Sequence, residues 1–230
     1  MNAIHQTKQG FWVLDNDPYI SKWCEDLGRL DHDRMIDILC DLIPVGGVAI
    51  DAGAAIGDHT VFYGHRVGSK GLVLAYEPNP DAYACLVMNT REQPWVHPYR
   101  MGLSAFTTRI EMDYKPENIW ASQVRAISTN GPLAMPIDSI ADAYCLKRLD
   151  FLKMDVEGFE PQVLIGAYGS ISKFRPIICA EINKGALARH YWTAEEHIYK
   201  PLASLGYRLE MIDKTHTLDL PQFDCLFLPK

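Results

Sequence analysis

The stretch VAIDAGAAIGDHTVFYG, residues 48–64, decides the fold. Val48 to Asp51 is a compact apolar strand that ends on an acid, and Gly57 to Val67 carries the spacing of a helix. A strand, a glycine turn and a helix in this order form the opening unit of a nucleotide-binding α/β sheet. Gly53 permits a tight turn that a Cβ would hinder, and Gly57 lets the helix start pack close to the loop. The loop is not the G-x-G-x-x-G of a dinucleotide site, because Ala55 stands where the second glycine belongs. Asp51 in front of it would repel a diphosphate and attract an ammonium or sulfonium.

Working outward, the next apolar run, Leu72 to Glu77, also ends on an acid, followed by Pro78-Asn79-Pro80. A carboxylate there can accept hydrogen bonds from both hydroxyls of a ribose. The two acids together point to a nucleoside cofactor. Short strands and helices keep alternating: a helix over Asp81 to Thr90, a strand over Val96 to Leu103, and a β-excursion near 106–130. Buried runs follow at Phe151 to Met154 and Ile177 to Glu181, with a helix opening at Pro161 between them. Thr193 caps a helix to about Leu205, and Tyr207 to Ile212 pairs with Asp224 to Leu228 as a terminal hairpin. Such alternation predicts a mainly parallel sheet with helices on both faces and ligands beyond the carboxyl ends of its strands. Ahead of this core, residues 1–43 read as an N-terminal helical or cap segment, of mixed character over about the first thirty residues, with Asp33 capping a helix that Pro44 ends.

Composition narrows the partners. The 230 residues carry 22 Lys and Arg against 29 Asp and Glu, a net charge of −7 that disfavours a phosphate backbone as partner. No C-x-x-C spacing occurs among the six cysteines, so neither a zinc ribbon nor a redox pair is expected. The opening MNAIHQTKQG lacks the apolar core of a signal peptide, and no run reaches membrane-spanning length. A single cytoplasmic domain over 1–230 is the expectation, with no membrane and no nucleic acid as partners.

Five stretches resemble the FkbM family of class I S-adenosylmethionine-dependent methyltransferases: residues 48–64, LVLAYEPNPDAYACLVMN at 72–89, GLS at 102–104, PIDSI at 136–140 and DFLKMDVEGFEPQVLIGA at 150–167. The last is the most specific, and together they span roughly 44–182. Ala55 departs from the pattern, since the family commonly carries Asn there. The resemblance implies a Rossmann-like sheet of seven strands with the last antiparallel, and methyl transfer to a hydroxyl of a sugar, glycan or polyketide-type molecule. It implies that Asp51, Gly53 and Gly57 hold the methionine end of S-adenosylmethionine, that Glu77 binds the ribose and that Ser104 lies near the adenine. Ala52, Ala54, His59, Thr60, Pro78, Asn79 and Asp155 complete the expected donor site.

Asp155, Glu157 and Glu160 cluster just past the fourth core strand. In-line methyl transfer needs the acceptor oxygen held against the methyl carbon, and a protonated hydroxyl needs a base. Asp155 or Glu157 is the expected base, with Glu181 orienting the acceptor. Glu157 or Glu160 can alternatively cap the helix at Pro161, and Asp155 can merely place the cofactor. No metal is expected, for lack of a D-x-D-x-D-G pattern. Asp31-His32-Asp33 reads as a solvated cap, and His190-Tyr191-Trp192 as a core anchor or a sugar-stacking surface. A methyltransferase acting on a nucleic acid or another acceptor, and a non-catalytic S-adenosylmethionine-binding protein, are the competing readings. The sequence leaves acceptor and oligomeric state open.

Overall fold

The computed structural model describes residues 4–15, 17, 22, 24, 26, 35–115 and 122–230. Its centre is a seven-stranded sheet, built on runs that are apolar on both faces. Strands β1 (Ile4–Gln6) and β2 (Trp12–Leu14) form an antiparallel ribbon ahead of helix α1 (Met35–Leu42). The mixed N-terminal stretch thus opens as a β-ribbon, and the Asp33 cap and the Asp31-His32-Asp33 triplet lie outside the described residues. There follow β3 (Val48–Ala52), α2 (Thr60–Val67), β4 (Leu72–Tyr76), α3 (Pro80–Thr90) and β5 (Val96–Tyr99). Asn79 caps α3 by accepting the Asp81 N–H at 3.0 Å, with Pro80 in the first turn where its missing N–H costs nothing.

The strand expected over 96–103 breaks after Tyr99. Gly102–Leu103, as β6, joins β7 (Thr108–Asp113), β8 (Gln123–Ser128) and β9 (Leu133–Met135) in a separate four-stranded sheet, ordered β6-β9-β7-β8. The excursion is thus a second sheet. Helix α4 (Ile137–Ala143) leads back to β10 (Phe151–Met154), followed by α5 (Glu160–Gly166), α6 (Tyr168–Phe174), β11 (Ile177–Asn183) and α7 (Lys184–Arg189). A wider π-type turn at Glu195–Tyr199 runs into α8 (Lys200–Ser204), and β12 (Tyr207–Met211) and β13 (Gln222–Pro229) close the chain.

The main sheet is ordered β12-β13-β11-β10-β3-β4-β5. Strands β11, β10, β3, β4 and β5 are parallel, and β13 is antiparallel to both neighbours. On one face Ala49, Val73 and Phe151 pack against Leu39, Tyr63 and Val67 of α1 and α2. On the other, Ile50, Leu152 and Ile178 meet Ile137, Val163, Leu164 and Ile171 of α4–α6. The N-terminal ribbon docks beside the glycine loop, where Val13 and Leu14 pack with Ile56 and Val61. Asn89 fixes this contact by bonding the backbone of Trp12 in both directions, at 2.7 and 2.9 Å.

Candidate active site

Asp51, Glu77, Asp155 and Glu181 lie at, near or just past the carboxyl ends of β3, β4, β10 and β11, which the parallel register brings to one end of the sheet. Asp51 is wholly buried at the end of β3 and accepts the Thr60 hydroxyl at 2.6 Å on Oδ2. Its other oxygen is buried without a hydrogen-bond partner among the described residues. Gly53 (φ +81°) and Gly57 (φ +90°) hold the loop in backbone conformations reserved for glycine, as the spacing predicts. A Cβ on Gly53 would lie 1.7 Å from the carbonyl oxygen of Asp155, so the loop and the end of β10 are in direct contact. Ala55 also takes positive φ (+46°), which an Asn tolerates better than an alanine.

Glu77 ends β4 with its carboxylate clamped by backbone donors. Oε2 accepts the Ala55 N–H at 3.0 Å and Oε1 the Asn79 N–H at 2.7 Å. Burial pushes its pKa up to about 7 in spite of these two bonds. The N–H groups of Gly53, Ala54 and Gly57 also point inward, to Tyr76 and Ala54 carbonyls. The loop therefore offers a ligand its carboxylates more than its amides. His59 turns toward Tyr63, 3.2 Å from the hydroxyl, and toward Asp58. Ser104 is fully buried beneath the Gly166 contact of α5, with its hydroxyl unpartnered among the described residues.

Asp155, Glu157 and Glu181 are brought together: one carboxylate oxygen of each lies within 4.8 Å of the other two. Asp155 and Glu157 meet through a turn, because β10 stops at Met154 and Glu157 takes φ +54°. A non-glycine residue held there is strained, and such strain concentrates at functional positions. Burial and the Asp155 charge push Glu157 up to about 8. Burial drives Glu181 well above the usual carboxylate range, and Asp155, Glu157 and Asp224 add to it. Gln222 of β13 donates to Glu181 Oε1 at 2.7 Å, while Oε2 is buried and unpartnered among the described residues. Glu160 plays another part: its Oε1 accepts the N–H groups of Val156 and Gly158 and ties down the turn.

Sequence reading missed Lys153. It is buried on β10, and its Nζ donates to Asp155 Oδ2 at 2.9 Å. A lysine inside an otherwise apolar buried strand is itself a signal, since buried charge needs a partner. His190 and Trp192 stack on each other at 4.8 Å beside Phe159, and Tyr191 between them is 94% exposed.

Sheet order, glycine loop and acidic edge define a class I methyltransferase fold. The chain belongs to the methyltransferase FkbM domain family, whose pattern matches residues 51–209. It is 29% identical over 155 residues to the hexuronic acid methyltransferase AglP of Haloferax volcanii, covering 66% of this chain and 62% of the relative. The FkbM methyltransferase structure from Methylobacillus flagellatus KT superposes with a TM-score of 0.54 at 19% identity, over 84% of this chain and 50% of that one. A SAM-dependent O-methyltransferase from Thermotoga maritima does so at 0.51 and 12% identity, over 100% and 78%. The chain thus spans less than two thirds of the length of the first two; the two structures speak for the fold. No helix among the described residues is long and apolar enough to cross a membrane.

Proposed function

We propose that the chain is an S-adenosylmethionine-dependent O-methyltransferase acting on a hydroxyl of a sugar or glycan. The observation that carries this reading is the convergence of Asp155, Glu157 and Glu181 beside the Asp51–Gly57 loop. The donor fits its residues: the orphaned buried oxygen of Asp51 and the surrounding carboxylates favour a cation, and ribose hydroxyls can share Glu77. When bound, S-adenosylmethionine supplies an electrophilic methyl on a sulfonium. Asp51 would hold its methionine end and Glu77 its ribose, and the N-terminal ribbon, packed on Ile56 and Val61, braces the loop between them.

Glu157 is the group suited to take the acceptor proton. Its pKa near 8 makes it a stronger base than an ordinary carboxylate, and its strained backbone fixes its direction. Glu181, locked by Gln222, orients the acceptor. A sugar acid must then turn a hydroxyl to this edge and its own carboxylate away, because three acids would repel it. Arg189 is exposed and close enough for its charge to act on Glu157, which makes it a candidate partner for that carboxylate. The name of the archaeal relative makes hexuronic acids the first acceptors to test. Polyketide alcohols come second.

A labelled-methyl screen over hexuronic acids, neutral sugars, nucleotide-sugars, polyketide alcohols and an RNA, run with and without EDTA, tests the reading. Label in a sugar fraction, as an ether stable to mild base, is expected. Label in RNA alone, or donor binding without any transfer, would refute it.

A further inference from the structure

Lys153 sits where the two halves of the site meet. Its Cα neighbours across the sheet are Asp51 on β3 and Cys179 on β11, and alternation places it on the face shared with Asp51 and Asp155. It is 5% exposed, and it is the only buried lysine or arginine among the described residues. Around it stand Asp51 and Asp58 toward the glycine loop, and Asp155 and Glu157 at its own strand end. Cys179 faces it from β11, and Glu181 and Asp224 lie beyond Asp155. We propose that Lys153 is a positioning residue for methyl transfer: its ion pair anchors the Asp155 carboxylate at one corner of the triad, so that Asp155 serves as a fixed charge and the proton passes to Glu157.

The physical grounds are asymmetry of pairing. Asp155 has an ammonium at 2.9 Å, whereas neither Glu157 nor Glu181 has a cation within ion-pair distance among the described residues. Burial opposes the charge of Lys153, but Asp155, Asp51 and Asp58 outweigh it and push its pKa up, so it is ammonium at every working pH. A permanent charge there lowers the cost of ionising each acid it faces. Without it, Asp155 would lose the partner that fixes its carboxylate, and the triad would lose its division of labour.

The inference rests on the donor assignment above, and the test separates the two. Affinities for S-adenosylmethionine and S-adenosylhomocysteine are measured by calorimetry from pH 6 to 9.5. The ligands differ by the sulfonium charge, so their affinity ratio follows ionisation of the acids. In the native chain the preference for the sulfonium is expected to rise with pH. Lys153→Met should move the midpoint of that rise up by about one pH unit or more, and Lys153→Arg should restore it. If Lys153→Met does not fold, Lys153→Gln keeps a donor for Asp155 without the charge and should shift the midpoint in the same direction. A folded variant, judged by circular dichroism, with an unmoved midpoint overturns the role of Lys153 and leaves the donor reading standing. A native chain that binds neither ligand overturns both.

Discussion

The proposed donor half and the proposed acceptor half of the edge hold their carboxylates differently. Around β3 and β4, Asp51 is held by Thr60 and Glu77 by two backbone N–H groups, so each acid has a fixed direction before any ligand arrives. Around β10 and β11, Asp155, Glu157 and Glu181 face one another with a single ammonium among them. The first arrangement gives geometry, which binding requires. The second sets Glu157 and Glu181, both of raised proton affinity, close together without backbone donors to clamp them, an arrangement suited to proton transfer. They touch where Gly53 meets the Asp155 carbonyl, so the contrast can be broken from either side.

The largest expected effect is on the acceptor side. Glu157→Gln should lower turnover by about 10²–10⁴-fold while donor affinity stays within about threefold; a matching loss of affinity would merge the two halves into one. Next comes the contact itself. Gly53→Ala puts a Cβ into the Asp155 carbonyl at a positive φ, and should cost about 3 kcal/mol in thermal or urea unfolding together with donor binding. On the donor side, Glu77→Gln leaves one of the two backbone donors facing an amide NH₂, and donor affinity should fall about tenfold.

The smallest effect is on stability across pH. Burial raises Asp58, Glu77 and Glu160 to about 7 and Glu157 to about 8. The fold therefore binds these protons more tightly than the unfolded chain does. That contribution is full below the ordinary carboxylate range and is lost as pH rises through 7 and 8. Tm should be about 3–6 °C higher at pH 5.5 than at pH 8.5, and S-adenosylmethionine should narrow the gap. A Tm that rises over this interval would show the edge to be neutralised by other means.

The donor half was legible because its requirements are written in residue types. Glycine at 53 and 57, an acid closing each of two apolar runs, and Asn79-Pro80 before a helix each have one economical backbone meaning. The acceptor half was legible as a list of acids but not as a shape. Nothing in D-V-E-G foretells that Glu157 takes φ +54° and folds back on Asp155. Glu160 shows the same limit, since a tether and a catalytic acid look alike until the N–H groups it accepts are known. The break after Tyr99 was hidden because two-residue β6 and three-residue β9 are too short to show alternation. Helix α7, six residues with a glycine second, is equally short of periodic signal.

Strand β13 carries Gln222 and Asp224 and lies between β11 and β12, although it follows both in the chain. A strand inserted last between two earlier ones must wait for its slot to open, and its pairings span tens of residues. During synthesis, residues 48–99 are available to form the donor half long before 222–229 emerge. The charged triangle is completed only at the end, when Gln222 reaches Glu181. The Asp155 carbonyl that backs the Gly53 turn and the Gln222 amide that tethers Glu181 thus reach the site in succession, the second of them with the last strand of the chain.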